Sequence, residues 1–260
     1  MIMLEAKGIE KVYKTKFREY PVLNNVNLTV HEGDFVGIMG PSGSGKSTLL
    51  NVLSSLDFPS NGDITIKGQN LTNMDGDQLS NYRRENIGFI FQNYNLLDHL
   101  TIEENILLPA ALRMGSKKGV RDKLNTLGNE LNIESLLPKY PYEISGGQQQ
   151  RAAIIRSLIN DPYLLFADEP TGNLDSKSAY DVLNILKTLN ETHKTTILMV
   201  THDSVAASFC NSRVIFLKDG KIVHEMQRSY EEKQFSFNQR ILLYISKEVG
   251  ENDVNIFTRT

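Results

Sequence analysis

Two spacings of apolar residues divide the chain. Between residues 3 and 30 the spacing is strand-like, and Val26, Leu28 and Val30 alternate with Asn25, Asn27 and Thr29, as in a sheet with one wet face. Glu32-Gly33-Asp34 then turns into Phe35-Val36-Gly37-Ile38-Met39, which is apolar throughout. Asn61-Gly62-Asp63 reads as a turn into a short alternating strand over 64–68, the stretch 75–84 as a helix, and 87–91 as a buried strand of a parallel sheet. From Asn93 to about Asn160 helical spacing takes over. Thr101-Ile102-Glu103-Glu104 is a capping box leading into Ile106-Leu107-Leu108, and Pro109 marks a kink or a boundary. Val120, Leu124, Leu127 and Leu131 share one face of a helix predicted over 117–132. Strand spacing returns at 163–167 and 195–200, and Asp219-Gly220 between Val214-Ile215-Phe216-Leu217 and Ile222-Val223 predicts a β-hairpin. In the tail, over 229–251, Phe237, Ile241, Leu242, Ile245 and Val249 share a helical face that packs onto its own domain or onto a partner.

The apolar run 35–39 leads directly into Gly40-Pro41-Ser42-Gly43-Ser44-Gly45-Lys46-Ser47-Thr48, and Leu49-Leu50-Asn51-Val52-Leu53 follows as a helix. Strand, glycine-rich loop and helix are the context a phosphate-binding loop needs. Its glycines let backbone N–H groups turn inward around an anion, and the helix presents its positive end to the same anion. Lys46 adds charge for the β- and γ-phosphates, and Ser47 is placed to ligate Mg²⁺. A structural Gly/Ser loop capping a helix explains neither the Lys-Ser pair nor the flanking elements. The expected ligand is a nucleoside triphosphate.

Other residues acquire meaning beside that loop. Asp168-Glu169 ends the apolar strand at 163–167, where a phosphate-loop protein holds Mg²⁺; Asp168 is assigned to the ion through water, and Glu169 to polarising an attacking water. Ser145-Gly146-Gly147-Gln148 opens a predicted helix, a second anion-binding start or an ordinary glycine-rich one. Two phosphate cradles for one triphosphate are resolved by a head-to-tail dimer, each loop facing the other copy's Ser-Gly-Gly. Asp175 caps the following helix, reaches a dimer partner, or does both. Gln92 and His202 each follow a strand's carboxyl end, where open α/β sheets bind ligands, although taken alone such residues are more often strand termination and a structural histidine. Tyr13 is half-buried core or an aromatic on which a base stacks.

Composition narrows the setting. The chain has 260 residues, 40% hydrophobic and 23% charged, which describes an ordinary globular protein of one or two domains. A net charge of −3 argues against a nucleic-acid binder. The single cysteine, Cys210, has no partner for a disulfide or a CxxC metal site and is expected to be a small buried residue. No run of about 18 apolar residues occurs and Met1-Ile2-Met3-Leu4-Glu5 lacks a signal pattern, so any membrane connection is expected to come through a partner.

Taken together, Tyr13, the loop from Gly40 to Thr48, Gln92, Ser145-Gly146-Gly147-Gln148, Asp168-Glu169, Asp175 and His202 resemble, in this order and spacing, the ATPase subunits of ABC transporters. The resemblance covers about residues 1–225. It implies an α/β P-loop NTPase fold: a nucleotide-binding domain with a mixed central sheet, an N-terminal antiparallel β-subdomain and a helical subdomain inserted at about 93–160, followed by a helical extension over 226–260. It implies Tyr13 on the adenine of ATP, Gln92 sensing Mg²⁺ and the permease, and Ser145 on the γ-phosphate across an ATP-dependent homodimer. Glu169 is then the base, Asp175 belongs to the loop after it, and His202 is the switch histidine. Ile144 stands where the family usually has Leu, and Arg156-Ser157-Leu158 replaces Arg-Ala-Leu; both changes are conservative. Short runs, among them 51–57, 88–97 and 200–208, look closest to ATPases paired with FtsX- or MacB-like permeases, in particular the Bce-type antimicrobial-peptide resistance subunits that act on bacitracin or lantibiotics and signal through a histidine kinase. That resemblance implies a place on the cytoplasmic face of the membrane, peripheral through the permease. The alternatives are a regulatory ATPase that controls a cell-envelope complex without transport, and lipoprotein or macrolide export. A DNA-repair or ribosome-associated ABC ATPase lacks here the needed length and basic charge, and a P-loop kinase leaves Ser145 and His202 unexplained.

Overall fold

The computed structural model describes residues 1–112, 119–229 and 231–249. The start of the helix expected over 117–132, the end of the tail helix and the side chain of Val249 lie outside the described residues. In chain order the elements are β1 (Ile2–Lys14), β2 (Glu19–His31), β3 (Phe35–Met39), α1 (Lys46–Leu53), β4 (Asn61–Ile66), β5 (Gln69–Asn70), α2 (Gly76–Asn86), β6 (Ile87–Ile90), α3 (Ile102–Ala111), α4 (Val120–Glu130), α5 (Gly146–Leu158), β7 (Leu164–Asp168), α6 (Ser176–His193), β8 (Thr196–Val200), α7 (Ser204–Ser208), β9 (Arg213–Lys218), β10 (Lys221–Gln227) and α8 (Gln234–Val249).

They form two sheets. The larger has the order β10-β9-β3-β8-β7-β6. Its strands from β9 to β6 are parallel, and β10 closes one edge antiparallel to β9. The smaller sheet, β2-β1-β4-β5, is antiparallel. All five residues of β3 and of β8 are buried. Along β3 the side chains split by turns: Phe35 and Met39 join the core under the helices, whereas Val36 and Ile38 join the core under α1 and the antiparallel sheet. Burial on both faces is why these strands read as unbroken apolar runs. The phosphate loop leaves the carboxyl end of β3, one of the two central strands.

Three local features sharpen or correct the sequence expectation. The stretch 3–30 is two strands, turning at 15–18 through the Thr15 N–H to Arg18 carbonyl bond of 2.9 Å. Lys-Thr-Lys-Phe-Arg contains none of the usual turn residues, and the Thr15 hydroxyl supplies the closure by accepting from the Arg18 N–H. Asn61-Gly62-Asp63 is strand rather than turn: Gly62, at φ +96°, lies so close to Gly8 that a Cβ would sit 2.5 Å from the Gly8 carbonyl oxygen. The register of β1 against β4 shifts there, so the glycine serves a bulge. Pro109 lies inside α3, which ends two residues later, so of the expected kink or boundary it is the boundary that forms.

The capping box at Thr101 and Glu104 forms as expected. Ile102, Ile106, Leu124, Leu127, Leu131 and Ile144 from the 93–160 segment are buried in the helix-side core. In α8, Phe237, Ile241 and Ile245 enter the same core, so the tail helix packs on its own chain, with Leu242 half-buried. Asp219 and Gly220 both take positive φ at the β9–β10 turn, the geometry of a type I′ hairpin. Cys210 is fully buried.

Candidate functional site

The loop between β3 and α1 places its chemistry by backbone constraint. Gly43 and Gly45 take φ of +78° and +99°, the left-handed region that favours glycine. A Cβ at Gly40 would meet the Leu217 carbonyl at 2.1 Å, so the loop could not lie against β9 with any other residue. The N-terminus of α1 carries no side-chain cap, which leaves its N–H groups to a ligand. Lys46 folds over the loop and donates to the carbonyls of Gly40 and Pro41 at 2.9 and 2.8 Å. Burial lowers its affinity for a proton, and the nearby Glu169 and Asp168 oppose that.

Across from the loop, β7 delivers Asp168, whose Oδ1 accepts from the Ser47 hydroxyl at 3.0 Å. Burial raises the Asp168 pKa most strongly; the Ser47 hydrogen bond opposes the rise and the Glu169 charge adds to it. Glu169 sits at φ +44°, strained for a non-glycine residue, and is held there by its N–H on the Val200 carbonyl and its own carbonyl on the Gly172 N–H. Its Oε1 lies 2.9 Å from His202 Nδ1, and this hydrogen bond raises the imidazole pKa. His202 follows β8 and precedes α7, whose N-cap is Asp203.

These groups meet in one open cavity of about 590 Å³, lined by Val22, Pro41, Ser42, Gly43, Gly45, Lys46, Ser47, Thr48, Glu169 and His202. Val22 was not legible from its sequence; it lies where a Cβ on Gly45 would meet its carbonyl oxygen at 2.9 Å. A larger depression of about 850 Å³ beside Lys67, Tyr82 and Tyr163 holds none of the motif residues.

The remaining motif residues lie outside the cavity lining. Ser145 is the N-cap of α5 in a capping box, accepting from the Gln148 N–H at 3.4 Å while Gln148 Oε1 accepts from the Ser145 N–H at 2.9 Å. Gly147 packs on α6, since a Cβ there would meet Ser178 Oγ at 2.9 Å, and Gly146 lies under the Tyr94 hydroxyl. Asp175 caps α6 by accepting from the N–H groups of Lys177 and Ser178. Gln92 is exposed with its side chain against Gly172, and Asn173 donates to its carbonyl. Just beyond, Tyr94 and Asn95 take consecutive positive φ. Arg156, half-buried in α5 with desolvation lowering its pKa to about 10, donates to both their carbonyls. From the same helix Gln150 donates to the Pro170 carbonyl at 2.6 Å. Tyr13 is 42% exposed near the end of β1, so the half-buried core reading does not hold. Its hydroxyl donates to Asp57 at 2.8 Å, and the ammonium of Lys11 lies 4.8 Å from its ring centre.

A lysine-bearing glycine loop at the carboxyl end of a parallel strand, facing an acidic pair and a histidine, defines a nucleoside-triphosphate-binding protein of the P-loop class. The comparisons narrow the class. A model of the ABC transporter family matches residues 23–172. The chain is 52% identical over 237 residues to the bacitracin export ATP-binding protein BceA of Halalkalibacterium halodurans, covering 91% of this chain and 93% of that one. It is 48% identical over 250 residues to the ABC transporter ATP-binding protein YxdL of Bacillus subtilis, covering 96% and 95%. Among solved structures, the dimeric post-hydrolysis state of the ATP-binding cassette MJ0796 of Methanocaldococcus jannaschii, bound to ADP and Pi, superposes with a TM-score of 0.80 at 41% identity, covering 88% of this chain and all of the other. The chain therefore belongs to the ABC transporter family as an ATP-binding subunit, an ATPase that powers a membrane permease. Among the described residues no helix is long and apolar enough to cross a membrane.

Proposed function

We propose that two copies close on two ATP molecules, each held between the phosphate loop of one copy and Ser145-Gly146-Gly147-Gln148 of the other. One observation carries this reading: within a single copy the cavity collects Lys46, Ser47, Glu169 and His202, while the second anion-ready helix start does not line it. Lys46 exchanges its two carbonyl partners for the β- and γ-phosphates. Ser47 and Asp168, in contact at 3.0 Å, offer the hydroxyl and carboxylate oxygens that Mg²⁺ takes alongside phosphates and water. When bound, the ion neutralises charge on the leaving diphosphate. Glu169 accepts a proton from water as the water oxygen attacks the γ-phosphorus and the bond to ADP breaks. His202 keeps Nδ1 on Glu169 and has Nε2 for the γ-phosphate. Tyr13 stacks on the adenine, Gln92 reports on the ion and the permease, and Asp175 joins the dimer contact while capping α6.

In this reading residues 1–225 form the nucleotide-binding domain, with the helical subdomain at about 93–160, and 226–260 form a helical extension. The subunit sits on the cytoplasmic face of the membrane through an FtsX/MacB-like permease. The name of the BceA relative supports a substrate of the bacitracin or lantibiotic kind. The test is Glu169→Gln protein purified with ATP from native membranes. We expect intact ATP binding, turnover lowered roughly 10²–10⁴-fold, and a trapped dimer carrying a permease. Unchanged steady-state ATPase would remove the base assignment. Co-purifying proteins read the rest: a permease with a large extracellular domain, together with a sensor histidine kinase, supports peptide-antibiotic resistance, and a wall hydrolase in their place overturns it.

A further inference from the structure

The proposed base platform and the phosphate helix are joined by a small, partly buried hydrogen-bond network. Asp57 lies four residues past the end of α1. Its Oδ2 accepts from the Tyr13 hydroxyl at 2.8 Å, and its Oδ1 accepts from Lys11 Nζ at 2.7 Å and from the Phe58 N–H at 2.7 Å. Lys11 also donates to the Phe58 carbonyl at 2.7 Å, and its side chain is only 11% exposed. Lys11 and Tyr13 are two apart in β1, so they lie on one face of the strand. The same ammonium that pairs with Asp57 stands over the tyrosine ring. One carboxylate thus meets both the ring's hydroxyl, which Thr48 of the phosphate loop also approaches, and the ammonium over one of its faces.

We infer that Asp57 is a positioning residue for nucleotide-base binding, holding Tyr13 at a fixed orientation relative to the phosphate loop through its hydroxyl and through Lys11. An aromatic ring free to rotate about its side-chain bonds would lose that freedom only on binding, at a cost in affinity. Here the loss is taken during folding, by a chain segment that leaves the phosphate helix itself. Distance between base and phosphates is then built in. The inference rests on the proposed stacking of the base on Tyr13.

The experiment measures affinity for ATP and for inorganic tripolyphosphate, which lacks a base, in the full chain. Asp57→Ala should weaken ATP binding about 3- to 10-fold, the scale of immobilising one side chain on binding, and leave tripolyphosphate binding unchanged. Asp57→Asn, which keeps an acceptor for the hydroxyl, should restore part of the loss. Tyr13→Phe should lose the share that runs through the hydroxyl, and adding Asp57→Ala to it should cost only the remaining share that runs through Lys11. Tyr13→Ala should lose about 10-fold or more. Unchanged ATP affinity in Asp57→Ala overturns the inference. Parallel loss of ATP and tripolyphosphate also overturns it, since the effect would then run through the phosphate loop. If Tyr13→Ala leaves ATP affinity intact, stacking on Tyr13 is wrong, and the fault lies in that reading.

Discussion

The two glycine-rich helix starts of the proposed nucleotide site are finished differently. At α1 the cap is Gly45, left-handed and without a side chain, so the first-turn N–H groups are unsatisfied until phosphate arrives. At α5 the cap is Ser145, which occupies its own helix start through a capping box with Gln148. One end is incomplete without ligand; the other is complete without it. The Ser145 bond to the Gln148 N–H is long, at 3.4 Å, so a competing oxygen displaces little. An open end beside catalytic groups and a self-capped end remote from them are what a nucleotide sandwich between two copies requires. In the proposed sandwich the first holds ATP in the single copy, and the second engages only on closure.

Breaking the open end should have the largest effect. Lys46→Ala removes the charge aimed at the phosphates, and ATP affinity measured by titration should fall roughly 10- to 100-fold; wild-type affinity would contradict the phosphate-loop assignment. Ser145→Ala breaks the closed end. Binding of ATP to single copies should be unchanged, while turnover at saturating ATP drops about 10-fold or more, as for the loss of one oxyanion donor. Weakened ATP binding in single copies would place Ser145 in the wrong site. The same variant should lose about 1 kcal/mol of stability, the worth of a cap, and denaturant unfolding without nucleotide reads it separately.

The smallest effect concerns His202. Its hydrogen bond to Glu169 raises the imidazole pKa, so the folded chain holds that proton more tightly than the unfolded chain. The stabilisation is fully present below the unfolded value of about 6.5 and fades as pH rises through the folded one. Melting temperatures of nucleotide-free wild type and His202→Ala should therefore differ most near the acid end of the neutral range and converge in alkali. A difference that grows with pH would mean the pair is not formed.

Much of this was written in local sequence. The glycine loop, the acidic pair and the histidine could be read because each sits at the end of an apolar strand, and β-strand ends converge in a parallel sheet. Asp219-Gly220 and the Thr101 capping box could be read because their geometry is decided within four residues. Where the deciding partner is distant, the sequence was silent. Gly62 answers to Gly8, Val22 to Gly45, and Gln92 to Gly172. The turn at Thr15 comes from a hydroxyl in a stretch with no glycine, proline or asparagine. Lys11 and Asp57 are ordinary charges until the fold brings them to Tyr13.

Arg156 gives α5 a mechanical property. The guanidinium grips the backbone of Tyr94 and Asn95 near one end of a single unbroken helix, and Ser145 stands at the other, about 16 Å away at 1.5 Å per residue. Gln150, between them, holds the Pro170 carbonyl next to Glu169. One rigid helix thus carries three fastenings in a row, Ser145 at its start, Gln150 on the backbone next to Glu169 and Arg156 on a surface loop, so the spacing between them is fixed by helical rise.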